Sequence, residues 1–315
     1  MANMYDISPL SYQPSSNMDW FTQAVFGGKL IESGKITPVT GVKESTLLNL
    51  LEFTSGVLQP DGRDCAWTPE QIMKLSEKEL QIKTYKINLE QCIDDLEQKR
   101  LIWMLKPGAK NMELPDTLEE ATLAILAAEV SKEIETMIFA GNSSVNPDDF
   151  DGAVKVLTDS SDSVKITGVS LTKANILDEI EKLFEAIPQN VLQKGLENAS
   201  LAIYMSYETH TRLKLALASL FNSNVVVNSN FSVEGDIVRY MGIEVVPVKG
   251  LDSSTMIAAD VNNFVLGTDL LNDFENIRIG QFAAPHDSKV YIDGRLRIGF
   301  AIPFESEAVI YSPSV

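Results

Sequence analysis

"MGIEVVPVKGLDSSTMIAADVNNFVLGTDL", residues 241–270, sets two alternating apolar runs on either side of a Gly-Leu-Asp-Ser-Ser turn and closes on Gly267-Thr268-Asp269. Alternation with period two is the mark of strands with one face turned inward. A Ser beside an Asp between two strands also has the outline of a hydrolase site. That reading fails on its neighbours. Neither Ser253 nor Ser254 sits in the glycine-flanked elbow that exposes a nucleophilic serine. The chain has only His210 and His286 to act as a base, and no spacing ties either to these serines. The stretch is therefore read as architecture: strands near 237–240, 243–248 and 255–259, joined by tight turns.

The flanking segments extend that architecture. Upstream, Ile176, Leu177, Ile180, Leu183, Phe184 and Ile187 recur at helical spacing and predict an amphipathic helix over 173–187. Thr172 is its expected cap and Pro188 its expected end. A strand follows at "LAIYM" (201–205), and Ser206 turns the chain into a helix through "YETHTRLKLALAS". Downstream, "KVYIDGRLRIGFAIP" predicts a hairpin turning at Asp293-Gly294, then a last strand at "EAVIYS".

The N-terminal half has a different texture. Residues 1–35 form an arm in which Trp20, Phe21, Val25 and Phe26 are apolar anchors with too little surface of their own to offset the entropy of ordering. From Lys35 to Gln91, "ITPVT" and "STLLNLLEF" lead through the turn-rich "TSGVLQPDGRDCAWTPEQ" to the alternating "ELQIKTYKINL". Two strands with a polar tip make an extended hairpin, which is marginal in water without a third layer. Residues 117–140 predict the longest helix, about 36 Å at 1.5 Å per residue. Thr117 and Glu120 would form its capping box, Gly141 a left-handed end, and Leu118, Leu123, Ala124, Ile125, Leu126 and Ala127 a heavily covered first half.

Composition narrows the function. The 315 residues are 44% hydrophobic and 22% charged, the balance of a globular chain, and the formal charge of −18 argues against a phosphate-binding surface. No apolar run is long enough to cross a membrane as a helix, and the N-terminus lacks the pattern of a signal peptide. Cys65 and Cys92 are read as ordinary thiols. "GGKLIESGKIT" misses a phosphate loop, with Lys29 where a glycine belongs and Ile36 in the Ser/Thr position. "NPDDFDGAV" misses a calcium loop, because Pro147 and Thr158 fall where carboxylates are needed; a structural Asp-Gly turn is the reading kept. No catalytic residue, cofactor or metal is assigned.

In order, "TKANILDEIEKLF", "LAIYMSYETHTRLKLAL", "MGIEVVPVKGL", "TMIAADVNNFVLG" and "YIDGRLRIGFAIPFESEAVIY" resemble the major capsid proteins of tailed bacteriophages with the Hong Kong 97 fold. Gly242-Ile243-Glu244-Val245-Val246-Pro247 carries that family's Gly-x-x-Val-x-Pro strand, while "MSYET" departs from its usual proline. The arm, the hairpin, the long helix and "FDGAV" (150–154) match the family's order as well. The resemblance implies an α+β capsid fold with an N-terminal arm (1–35), an extended loop (36–90), a peripheral domain (91–170 and 271–315) with spine helix 117–140, and an axial domain (171–270).

It also implies a non-enzymatic shell subunit that assembles with itself into hexamers and pentamers of an icosahedral coat around double-stranded DNA, held without sequence-specific contacts. Contacts between copies are expected at Trp20, Phe21 and Phe26 of the arm, Asp61, Gly62, Arg63 and Trp67 of the hairpin tip, and Asn222, Asn224, Asn228, Asp252 and Ser253 of the axial loops. A separate scaffolding protein, a portal and decoration proteins are the implied partners, with assembly in a bacterial cytoplasm and no large pro-segment removed. Some relatives join subunits through a Lys–Asn isopeptide bond; Lys83 and Lys86 are the hairpin lysines, but no local signature marks such a site. Two readings stand beside this one: an encapsulin-like compartment shell enclosing enzymes, and a stand-alone α+β enzyme.

Overall fold

The computed structural model describes residues 11–12, 24–25, 28–42, 44–53, 73–92, 116–221, 231–234, 237–269, 278–281 and 289–314. Its centre is a seven-stranded mixed sheet, here sheet two, in the order β6 (Val164–Thr167), β15 (Val309–Ser312), β11 (Met256–Asp260), β7 (Leu201–Ser206), β10 (Ile243–Val248), β9 (Ile237–Tyr240) and β8 (Phe231–Glu234). β7 runs parallel to β10 and antiparallel to β11. Every residue of β7 is buried, because both faces of the sheet are covered.

One face of sheet two packs on α4 (Ile176–Glu185) and α6 (Tyr207–Phe221): Ile203, Met205, Val245 and Val309 meet Ile180, Leu183, Leu213 and Leu217. The other face, with Tyr204, Val246, Ile257 and Ile310, packs on the spine helix α2 (Asp116–Ala140) through Ile134, Ile138 and Phe139. The same cluster takes in sheet one, which is six-stranded: β1 (Ser11–Tyr12), β13 (Arg278–Gln281), β14 (Lys289–Ala301), β12 (Val265–Thr268) and β2 (Thr37–Thr40), with β5 (Lys83–Cys92) also on β14. Phe264 ties the layers together, stacked on Tyr204 at 5.0 Å and edge-on to Phe139 and Phe300. The third unit is a hairpin of β3 (Ser45–Phe53) and β4 (Met73–Gln81), paired from Ser45↔Gln81 to Phe53↔Met73. The mixed α+β class and the expected hairpin are both present.

Several expectations change. The alternating run 79–89 is not one strand: Ile82 interrupts it, so β4 stays with the hairpin while β5 joins sheet one, taking Lys83 and Lys86 with it. Asp293-Gly294 is no turn. It lies inside the 13-residue β14, where Asp293 pairs with Asn88 on one side and Arg278 on the other. Two neighbouring strands override a dipeptide that favours reversal. The α-helix expected at 173 begins at Ile176. Thr172 takes part as its carbonyl accepts Ile176 N–H, and Asn175 Oδ1 accepts both the N–H and the hydroxyl of Thr172. Pro188 starts rather than merely ends a helix, because it precedes α5 (Gln189–Asn198), which the sequence reading had not assigned. The last strand is shorter than "EAVIYS", since Glu305–Glu307 forms a 3-10 turn before β15.

In α2, Leu123 and Ala127 are buried and Leu126 partly so, but Ile125 is 64% exposed. The buried stripe 123, 127, 130, 134, 138 covers one side, and Ile125 points away from it. Gly141 is not left-handed. It is a glycine because a Cβ there would lie 2.5 Å from the Phe150 carbonyl oxygen, where residues 150–152 pass over the helix end and lead into α3 (Ala153–Asp159). The capping box side chains, Thr117 and Glu120, lie outside the described side chains.

Candidate functional site

The hairpin is rooted in its own chain. Leu80 of β4 is fully buried among Val42, Val265 and Ala301, with Val39, Leu48 and Ile82 partly buried around them. Sheet one makes room with glycines: a Cβ on Gly267 would lie 2.7 Å from Leu80 Cδ2, and one on Gly299 would lie 2.0 Å from the Gln81 carbonyl oxygen. Lys78 of β4 forms an ion pair with Glu305. Beyond this root the hairpin is a two-stranded ladder, and Leu47 on β3 is 57% exposed.

The expected arm is partly built into the body. Ala24 and Val25 are buried in the main core. Residues 28–36, including α1 (Lys29–Glu32), form a strap whose two ends are held by polar contacts. At one end, Leu30 N–H donates to Glu135 Oε1 of α2 at 3.1 Å, and a Cβ on Gly28 would lie 3.0 Å from the same oxygen. At the other, Lys35 Nζ is 2.8 Å from Glu244 Oε2 of β10, and the Tyr204 hydroxyl of β7 donates to the Lys35 carbonyl at 2.9 Å. Burial pushes the Tyr204 phenol well above its ordinary range, so it stays a donor.

The turn between β10 and β11 closes onto α2. Gly250 has φ of +84°, and a Cβ there would lie 2.3 Å from the Thr136 carbonyl oxygen, so backbone meets backbone. Lys249 Nζ approaches Glu135 Oε2 at 3.9 Å. Within the turn Asp252 is exposed, while Ser253 is half-buried with its carbonyl accepting the Thr209 hydroxyl at 2.7 Å. Ser254 Oγ accepts Leu171 N–H at 3.2 Å. These contacts tie the turn to α6 and to Leu171, and His210 is buried on α6. Ser206, where the chain was expected to turn into that helix, caps it: its Oγ accepts Thr209 N–H.

Of the other residues singled out by sequence, Trp20, Phe21, Phe26, Asp61, Gly62, Arg63, Trp67, Asn222, Asn224 and Asn228 lie outside the described residues. The near-miss calcium loop is closed by its own groups: Asp151 Oδ1 accepts Ser143 N–H and Asn146 Oδ1 accepts Asp148 N–H. Beside it the Tyr85 hydroxyl accepts Phe150 N–H at 3.1 Å, and burial raises that phenol to about 12. Glu135 was missed by sequence reading, and Gly250 was read as part of a turn without its packing on α2. For Glu135 a signal existed, an acid in register with the apolar stripe at 127, 130, 134 and 138.

No family model and no characterised protein matches the sequence. Solved structures do. The chain is similar to a chain of the satellite phage P4 procapsid that includes the size determination (Sid) protein, at 12% identity and a TM-score of 0.57, covering 94% of this chain and 97% of that one. It is similar to a chain of the capsid of an empty GTA particle, at 12% identity and a TM-score of 0.57, covering 89% and 88%. It is also similar to a chain of the capsid of Myoviridae phage XM1, at 13% identity and a TM-score of 0.55, covering 90% and 91%. At such identities what is shared is the fold.

Proposed function

We propose, from the premise that this chain has the Hong Kong 97-like capsid fold, that it is the major capsid protein of a tailed phage and assembles with itself into pentamers and hexamers of a closed shell around DNA. The observation that carries this reading is end-to-end likeness: nine-tenths or more of both chains align with the P4 procapsid chain. A hairpin seated at one end, whose two strands pair only with each other, supports it, because such a ladder gains a second layer when it lies on a neighbour. The acidic charge of −18 fits a lining that does not trap packed DNA.

In this reading residues 171–270 surround the symmetry axes, 91–170 with 271–315 form the peripheral part, and 36–90 reach across to a neighbour. Asp252 and Ser253, the arm aromatics Trp20, Phe21 and Phe26, the tip residues Asp61, Gly62, Arg63 and Trp67, and Asn222, Asn224 and Asn228 supply contacts between copies. A separate scaffolding protein, a portal and decoration proteins complete the particle, which is assembled in the host cytoplasm. The test is electron microscopy of the concentrated protein with nucleic acid analysis of any particles. Closed shells containing DNA from infected cells support the proposal; a monodisperse small oligomer refutes it, and shells filled with an enzyme cargo point to a compartment instead.

A further inference from the structure

We propose that Glu135 is the latch of an articulation between the spine helix and sheet two, an inference that rests on the chain being a shell subunit. Three segments meet at this carboxylate: α2, which carries it, the strap 28–36, and the turn after β10, which carries Lys249. Glu135 is only 6% exposed, yet its partners are one N–H at 3.1 Å and one ammonium at 3.9 Å. A carboxylate has about four acceptor positions, so this one is thinly satisfied for so buried a place. Burying charge on those terms does little for stability, and an apolar residue of similar volume often serves as well or better. Another aliphatic side chain would continue the stripe of Val130, Ile134 and Ile138, but it would leave Leu30 N–H without its acceptor.

A carboxylate does one thing that an aliphatic residue cannot. It holds donors from two other segments at a single point, through polar contacts that can open and reclose while the side chains of Leu30 and Ile36 stay in the core. One residue along the helix lies the pivot, where the bare backbone of Gly250 rests on the Thr136 carbonyl. The far end of the strap is bound to β10 and β7 through Glu244 and Tyr204, so the strap travels with sheet two. Opening at Glu135 therefore frees the strap backbone and the turn after β10 from this point of α2 and permits a small shear between layers that stay packed through Ile134, Ile138 and Phe139. A shell that places one chain in both five-fold and six-fold settings requires that chain to adopt more than one shape.

The test is amide hydrogen exchange on dilute, unassembled full-length chain, followed by particle sizing. Glu135→Met should raise exchange over residues 28–36 at least tenfold, leave β7 and β11 within twofold of wild type, and broaden the distribution of particle diameters. Glu135→Gln keeps an acceptor for Leu30 N–H but loses the charge, and should raise strap exchange at least threefold with both sheets unchanged; it decides the matter if the methionine variant fails to fold. Unchanged exchange in the strap, an equal rise across both sheets, or a diameter distribution that matches wild type overturns the latch. A wild-type chain that never forms particles would instead sink the shell reading and leave the exchange result standing.

Discussion

Replacing Leu80 by Ala tests whether the hairpin is seated in its own subunit before any neighbour is met. Leu80 has no exposed surface, and it fills a socket made by Val42, Val265, Ala301 and the bare backbone at Gly267. Removing three buried carbons forfeits about 2.4 kcal/mol at ~0.8 kcal/mol per carbon. The cavity adds to this, and the walls here are poor at closing in. Gly267 is paired to Gly299 on one side and to Val39 on the other, so β12 cannot move toward the gap without breaking two ladders. The loss should fall in the upper part of the ~2.7–5 kcal/mol range for buried Leu→Ala changes. Urea unfolding of the unassembled chain measures the total, and hydrogen exchange locates it: residues 45–53 and 73–81 should lose protection first, with β7 and β11 least affected. A loss under about 1 kcal/mol, or exchange that leaves the hairpin as protected as in wild type, would refute the socket.

Other outcomes follow from the same geometry. Gly299→Ala drives a Cβ into the Gln81 carbonyl at 2.0 Å, contact with backbone that cannot swing away, and should cost about 3 kcal/mol or more in the same urea assay. Burial alone would raise the Glu179 carboxyl, but bonds from Lys182 and the Tyr311 hydroxyl outweigh it and hold the group below its ordinary range. Its contribution is then present above the unfolded value of about 4.3 and disappears as pH falls through the lower folded value. Glu179→Gln should thus be less stable than wild type at pH 7, with the gap narrowing below about pH 4; a gap constant from pH 3 to 7 would count against it. Tyr85→Phe leaves Phe150 N–H without its acceptor and should cost about 1–2 kcal/mol. Because burial raises the Tyr85 phenol to about 12, wild type should also lose stability between about pH 10 and 12 that the variant never had.

What the sequence disclosed was local. The stripes on α2, α4 and α6 and the alternation in β9 are visible as periods of apolar residues, and the structure has them within a few positions, whereas β10 buries Val245 and Val246 in succession because both faces of its sheet are covered. Where reading failed, a distant partner had decided the outcome. Gly195 lies inside α5, the helix that the sequence reading had not assigned; a Cβ there would meet Leu201 Cβ at 2.7 Å, so the glycine lets α5 lie close to β7. Asp293-Gly294 reads as a turn until two flanking strands are known to hold it straight. The socket for Leu80 joins β4 to glycines about 190 and 220 residues further on, and no short window contains both. Glu135 was readable as an acid in register with an apolar stripe, but its meaning required Leu30 and Lys249 to be seen beside it.

The interruption at Ile82 has a mechanical consequence. Because β4 passes into β5 with a single residue between them, a pull on the far end of the hairpin is transmitted along β5. That strand is laced to β14 over ten registered pairs, from Lys83↔Ile298 to Cys92↔Lys289. Tension along the strand loads those bonds side by side rather than one after another, so none fails early. The other root, β2, has only four such pairs, on β12, and Gly41 at its end has φ of +81°. Under tension along its length, the hairpin would yield at that weaker hinge while β5 keeps it tethered.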